Sequence, residues 1–183
     1  MKFSYYLWGL YLIVYPFYFF DQGKPQIADL FGVFIVAINL KSIVSSINSN
    51  TLTRYLFLFV LYSFIVNTAW MLILGNSFEF DDLMLKHSLY YTYGFLMLLF
   101  VYSKIKDDEF LRITFYSIGL SVCLQLLLWP FFTDQSGRTQ MFFKNPNQLA
   151  FWALSLLLIT NMLIKIINPK KLYQIIFIAS CTF

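Results

Sequence analysis

Charge is scarce in this chain. Only 12 % of its 183 residues are Asp, Glu, Lys or Arg, against 60 % that are hydrophobic. A soluble domain needs roughly twice that share of charge to cover its surface, so a water-soluble fold is excluded. Histidine occurs once, at His87, and cysteine twice, at Cys123 and Cys181. Neither a CxxC pair nor a Cys/His zinc spacing can be built from these, and both cysteines, lying in apolar runs, read as small buried hydrophobes. No phosphate-cradling GxxxxGK[ST] loop, HExxH helix or GxSxG elbow is present. Gly/Ser linkers, low-complexity tails and fixed-period repeats are missing too.

Aromatic and aliphatic residues take the vacant places. Phe supplies 22 residues and Tyr 13, and they fall in blocks of about twenty, the length of a membrane-spanning helix. The fold expected is an all-α, polytopic transmembrane helical bundle forming one domain over residues 1–183, with the lipid bilayer as its first partner. Six full spans are expected: Phe3 to Phe20 with Pro16 inside it, Ile27 to Ile47, Tyr55 to Leu74, Leu83 to Ser103, Ile113 to Phe132, and Pro146 to Ile167. "SSINSN", the acidic "GNSFEFDD", "KIKDDE" and "TDQSGRTQMFFKN" read as connecting loops. A seventh run, Leu172 to Phe183, makes only about 18 Å of helix against a hydrocarbon core of about 30 Å. The sequence therefore reads as the N-terminal portion of a longer polytopic protein. A short final segment packed within the bundle is the alternative.

The net charge of +4 does not point to nucleic acid, because the basic residues sit between apolar blocks and orient the chain instead. With the N-terminus in the cytoplasm, nine of the 13 Lys and Arg fall on the inner side and four (Lys24, Lys86, Arg138 and Lys144) on the outer side. That obeys the positive-inside rule, and the reverse orientation violates it. The loop "SGRTQMFFKN" then faces outward.

That loop leads into the best-specified helix start in the chain. Asn145 reads as the cap, Pro146 as the first helical residue and Gln148 as the capping-box partner. A helix start offers free N–H groups and the positive end of its dipole, a setting suited to phosphate. Arg138 and Lys144 add two cations, and Asn147 adds an amide in the first turn. By themselves these residues also fit a well-capped helix beside lipid headgroups. Asp81 with Asp82 reads as a solvated loop pair, and His87 as a residue at the membrane boundary without an obvious partner. Asn39, Asn67, Gln125 and Asn161 read as amides that bond neighbouring helices, and Trp70 and Trp129 as interfacial residues.

From Arg138 to Ala150, "RTQMFFKNPNQLA" resembles the O-antigen ligase and polymerase family of multi-spanning membrane glycosyltransferases: an arginine, a spacer with aromatics, then Asn-Pro-Asn opening a span. "PQIADLFGVFIVA", leading into the second span, is similar in style. Met141 and Lys144 stand where the family commonly has small residues, and the family's large outer loop in its second half has no counterpart in these 183 residues.

The resemblance implies surface-polysaccharide biosynthesis at the outer face of the bacterial inner membrane. Glycan would pass from an undecaprenyl-pyrophosphate carrier to an acceptor, beside other polysaccharide assembly proteins. It implies Arg138 as the catalytic guanidinium holding the pyrophosphate, with Lys144 and Asn147 assisting. No metal or cofactor is implied, since a fixed guanidinium can carry the leaving-group charge. Two other classes compete. A transporter or lipid-linked sugar flippase would place paired ionisable residues near the midplane, whereas the charges here cluster at span ends. A non-catalytic membrane subunit would use the outer loop only for packing.

Overall fold

The computed structural model describes residues 2–20, 24–74, 78–128, 142–143 and 146–167. These form six α-helices, and no strand occurs among the described residues. They are α1 (Lys2–Val14), α2 (Ile27–Ile47), α3 (Thr51–Leu74), α4 (Phe78–Lys104), α5 (Asp108–Leu128) and α6 (Pro146–Ile167).

Local polar chemistry sets most of the boundaries. Pro16 follows the end of α1 by two residues, and Phe17 N–H closes the last turn on Val14 O at 2.9 Å. A proline ring displaces the i−4 carbonyl, so the helix stops. Gln26 and Asp29 cap α2 reciprocally: Gln26 N–H donates to Asp29 Oδ2 at 2.7 Å and Asp29 N–H to Gln26 O at 3.0 Å. Asn50 caps α3, its Oδ1 accepting Thr53 N–H at 2.8 Å. Asp107 caps α5, its Oδ1 accepting Glu109 N–H at 2.9 Å.

Four helical segments are long and apolar enough to cross a membrane: Ile27–Ile47, Thr51–Ile73, Asp108–Leu128 and Gln148–Ile167. They mark the chain as a membrane protein. Two of the six expected spans are not among these four. The first span ends as a helix at Val14, and 13 residues make only about 20 Å. α4, at 27 residues, is long enough, but Asp81, Asp82, Lys86, His87 and its tyrosines make it too polar to join the four. The expected loop "GNSFEFDD" is helical from Phe78 onward, which places Asp81 and Asp82 in the first turns of α4. The seventh run lies outside the described residues.

The chain divides into two compact units, Met1–Ile35 with Lys106–Phe183 and Val36–Ile105. In the first, α1 and α5 run parallel and are joined by a ladder of polar contacts. Tyr5 donates its hydroxyl to Asp107 Oδ2 at 2.7 Å, Trp8 Nε1 donates to Thr114 Oγ1 at 2.9 Å, and Ser121 Oγ donates to Ile13 O at 3.2 Å. Between these rungs Gly9 brings the backbones close: a Cβ there would stand 2.7 Å from Ser117 Oγ and 3.3 Å from Ile113 Cγ2. Phe110 fills the lower end of the seam, its ring 5.4 Å from Tyr5 and 5.9 Å from Trp8. Without a hydrophobic drive between helices in lipid, close approach and interhelical hydrogen bonds do this work, at about 1 kcal/mol per bond.

In the second unit α3 and α4 run antiparallel. Asn67 Nδ2 donates to Ser88 Oγ at 2.8 Å, and Asn50 Nδ2 donates to Tyr102 OH at 2.9 Å. Phe57 packs against Phe95 in a tilted pair, and Phe59 meets Tyr91 edge-on, between those bonds. Asn67 thus bonds a neighbouring helix. Asn161 and Gln125 instead donate within their own helices, to Leu157 O and Ser121 O. Cys123 is exposed on α5 rather than buried, because the α1-facing stripe of α5 runs through Ser117, Ser121 and Val122. Cys181 lies outside the described residues.

Candidate functional site

The region of interest surrounds the start of α6. Beyond Val14 the chain leaves α1 as a linker rich in aromatic residues, "YPFYFF", and the linker is tied to Phe142 and Phe143, shortly before α6. Tyr18 N–H donates to Phe142 O at 3.3 Å. The Phe17 and Phe142 rings lie 4.7 Å apart, and those of Tyr18 and Phe143 lie 5.6 Å apart. Phe143 is buried, and its ring stands 6.3 Å from Trp152 on α6, which in turn lies 5.1 Å from Tyr15. One backbone bond and six aromatic side chains therefore pin residues 142–143 between the end of α1 and the second turn of α6. Aromatic pairs of this kind contribute about 0.5–1.5 kcal/mol each beyond their buried area.

Gln26 fixes the far end of the linker. Its Oε1 accepts Phe20 N–H at 3.0 Å, and its Nε2 donates to Phe20 O at 3.2 Å and Lys24 O at 3.0 Å. One buried amide thereby satisfies three backbone groups while its own backbone caps α2.

α6 begins at Pro146. A helix start carries the positive end of the helix dipole. Gln148 is half-buried in this first turn. Trp152 Nε1, one turn further, is buried and has no hydrogen-bond partner among the described residues. Arg138, Lys144 and Asn145 lie outside the described residues, as do the side chains of Pro146 and Asn147. The structure thus brings the α6 start beside Phe142, Phe143 and the linker.

Phe17, Tyr18, Gln26 and Trp152 were not among the residues singled out by sequence. The available signal was the pairing of "YPFYFF" after a helix-breaking proline with "MFF" before a helix-starting one. Among the described residues no three His, Cys, Asp or Glu side chains converge to hold a metal ion. His87 is exposed. The chain matches no family model, no curated protein and no solved structure.

Proposed function

We propose that the chain belongs to a membrane glycan transferase of the polysaccharide polymerase or ligase type. It would act on an undecaprenyl-pyrophosphate-linked glycan at the outer face of the bacterial inner membrane, with its N-terminus in the cytoplasm. The observation that carries the reading is the start of α6 at Pro146, inside "RTQMFFKNPNQLA", directly beyond a pair of phenylalanines pinned to the α1–α2 linker. A pyrophosphate needs fixed positive potential, and a helix start on an anchored approach supplies it.

In this reading α1, prolonged by its linker, and α4 also cross the bilayer. That gives six spans. The parallel course of α1 and α5 and the antiparallel course of α3 and α4 support it, since alternating spans must run that way. The acceptor hydroxyl attacks the anomeric carbon as the bond from that carbon to the pyrophosphate oxygen breaks. Negative charge then grows on the pyrophosphate. Arg138 meets it with two parallel N–H donors, and Lys144, Asn147 and the α6 N–H groups add to the potential.

The test is loss and restoration. Cells lacking the gene should accumulate lipid-linked glycan and lose the polymerised or ligated product, and the intact gene should restore it. Unchanged surface glycan in the deletion strain would refute the reading.

A further inference from the structure

We propose that α6 is the contact surface for a second copy of this chain. The two α6 helices pack in parallel along a seam of Phe151, Leu154, Leu158, Asn161 and Lys165, with the two Asn161 amides hydrogen-bonded to each other.

Asn161 stands apart from the other amides that lie well inside helices. Asn39 and Gln125 are buried, and Asn67 bonds Ser88 on the neighbouring helix. Asn161 is exposed on α6, and its Nδ2 donates only to Leu157 O of its own helix, at 3.1 Å. Its Oδ1 accepts no hydrogen bond among the described residues. α6 is long and apolar enough to cross a membrane, at about 33 Å against a hydrocarbon core of about 30 Å. Asn161 lies about 9 Å before the end of α6 at Ile167. The amide therefore sits at hydrocarbon depth, where no water meets it and where side-chain amides bond across helices.

The residues around Asn161 have the periodicity of a helix–helix seam. Positions 151, 154, 158, 161 and 165 are spaced three, four, three and four apart, the a/d repeat of a left-handed coiled coil. All five are exposed, Phe151 at 74 %, Leu154 at 56 % and Leu158 at 57 %. At about 100° per residue this stripe lies opposite Leu156, Thr160 and Leu163, the buried stripe of α6. The seam and the packed face of α6 do not compete.

Self-complementarity selects a second copy as the occupant. A primary amide has two donors and an acceptor, so each Asn161 can give its second Nδ2 hydrogen to the Oδ1 of the other. Copies of one chain insert with one orientation, so their α6 helices run parallel. A two-fold axis along the membrane normal then brings each seam residue to its own counterpart. Left-handed packing is the commoner geometry of spanning helices, and one polar residue in such a seam fixes its register. Lys165 is in the last turn, where its stem carries the ammonium to the headgroups. Covering the five side chains on both copies removes roughly 1,000 Å² from lipid, the size at which specific interfaces begin.

The test uses the full chain in native membranes, with single cysteines in a background lacking Cys123 and Cys181. On oxidation, Leu154→Cys and Leu158→Cys should form disulfide-linked dimers, because both positions face the two-fold axis. Ile159→Cys, which is 42 % exposed but turned about 100° from Leu158, should remain monomeric. Association of labelled copies in lipid bilayers, followed by energy transfer, should weaken about tenfold in Asn161→Leu, the factor for one interhelical hydrogen bond. Asn161→Gln keeps the amide and should recover most of that loss. Monomers at every position, equal disulfide formation at Ile159→Cys, or linkage only to a different protein would overturn the dimer. Undiminished association of Asn161→Leu would overturn the amide pair.

Discussion

Trp8 donates its indole N–H to Thr114 Oγ1 at 2.9 Å, between two apolar helices and across 106 positions of sequence. Thr114 passes its own hydroxyl hydrogen to Phe110 O at 2.8 Å, so both buried polar groups are satisfied. Trp8→Phe keeps most of the ring packing and removes the donor; Thr114→Val keeps the shape and removes the acceptor. Each should cost about 1 kcal/mol, and the double variant should cost less than the sum because the two share one bond. Thermal unfolding in detergent measures this. Additive losses would show that the bond contributes nothing.

Gly9 is required by the closeness of α5. A Cβ at this position meets Ser117 Oγ at 2.7 Å while Ser117 Cβ stays at 3.8 Å. Gly9→Ala should therefore destabilise the fold by about 1–3 kcal/mol, the usual range for overpacking. Adding Ser117→Ala should recover most of the loss, since the clashing oxygen is gone. The transition temperatures of the two variants provide the check. No recovery in the double variant would place the strain elsewhere.

The proposed orientation rests on the charge distribution and is open to direct labelling. Lys24, in the linker, and Ser49, in the α2–α3 turn, are both exposed. In a background lacking Cys123 and Cys181, Lys24→Cys should react with an impermeant maleimide in intact cells. Ser49→Cys should react only after permeabilisation. The reverse pattern would invert the topology.

The helices were legible in sequence where apolar runs coincide with helix signals. α2 spans Ile27–Ile47 and α6 spans Pro146–Ile167, as hydropathy and capping residues indicated. The starts of α3, α4 and α5 lie earlier than hydropathy indicates. α3 begins at Thr51 rather than Tyr55 and α5 at Asp108 rather than Ile113. Hydropathy reports the thickness of the bilayer core, whereas Asn50 and Asp107 start their helices outside it with polar caps. The end of α1 was missed for the converse reason: Pro16 terminates the helix while the aromatic run continues to Phe20. The pinning of Phe142 and Phe143 was not legible, because it joins residues far apart in sequence through ring packing that leaves no periodic trace.

Those rings make a separable prediction. Phe143 is 4 % exposed and Phe151, on α6, is 74 % exposed. Phe143→Ala should destabilise the protein by about 3 kcal/mol and loosen the approach to α6. Phe151→Ala should leave thermal stability within about 0.5 kcal/mol of the wild type. Comparable losses in both variants would contradict the packing described around Trp152.

The central claim is that the loop before α6 holds a pyrophosphate through Arg138, and the most direct measurement is glycan transfer by Arg138 variants in cells at matched protein levels. Losing a charge-assisted contact that strengthens as the bond breaks costs about 2–4 kcal/mol, or roughly thirty- to a thousand-fold in rate. The account predicts that Arg138→Ala nearly abolishes transfer while membrane insertion persists. Arg138→Lys should recover only part, since an ammonium cannot grip two oxygens in parallel, and Lys144→Ala should do less harm. Near-normal transfer by Arg138→Ala would contradict the account and leave the stretch as a well-capped helix start beside lipid headgroups.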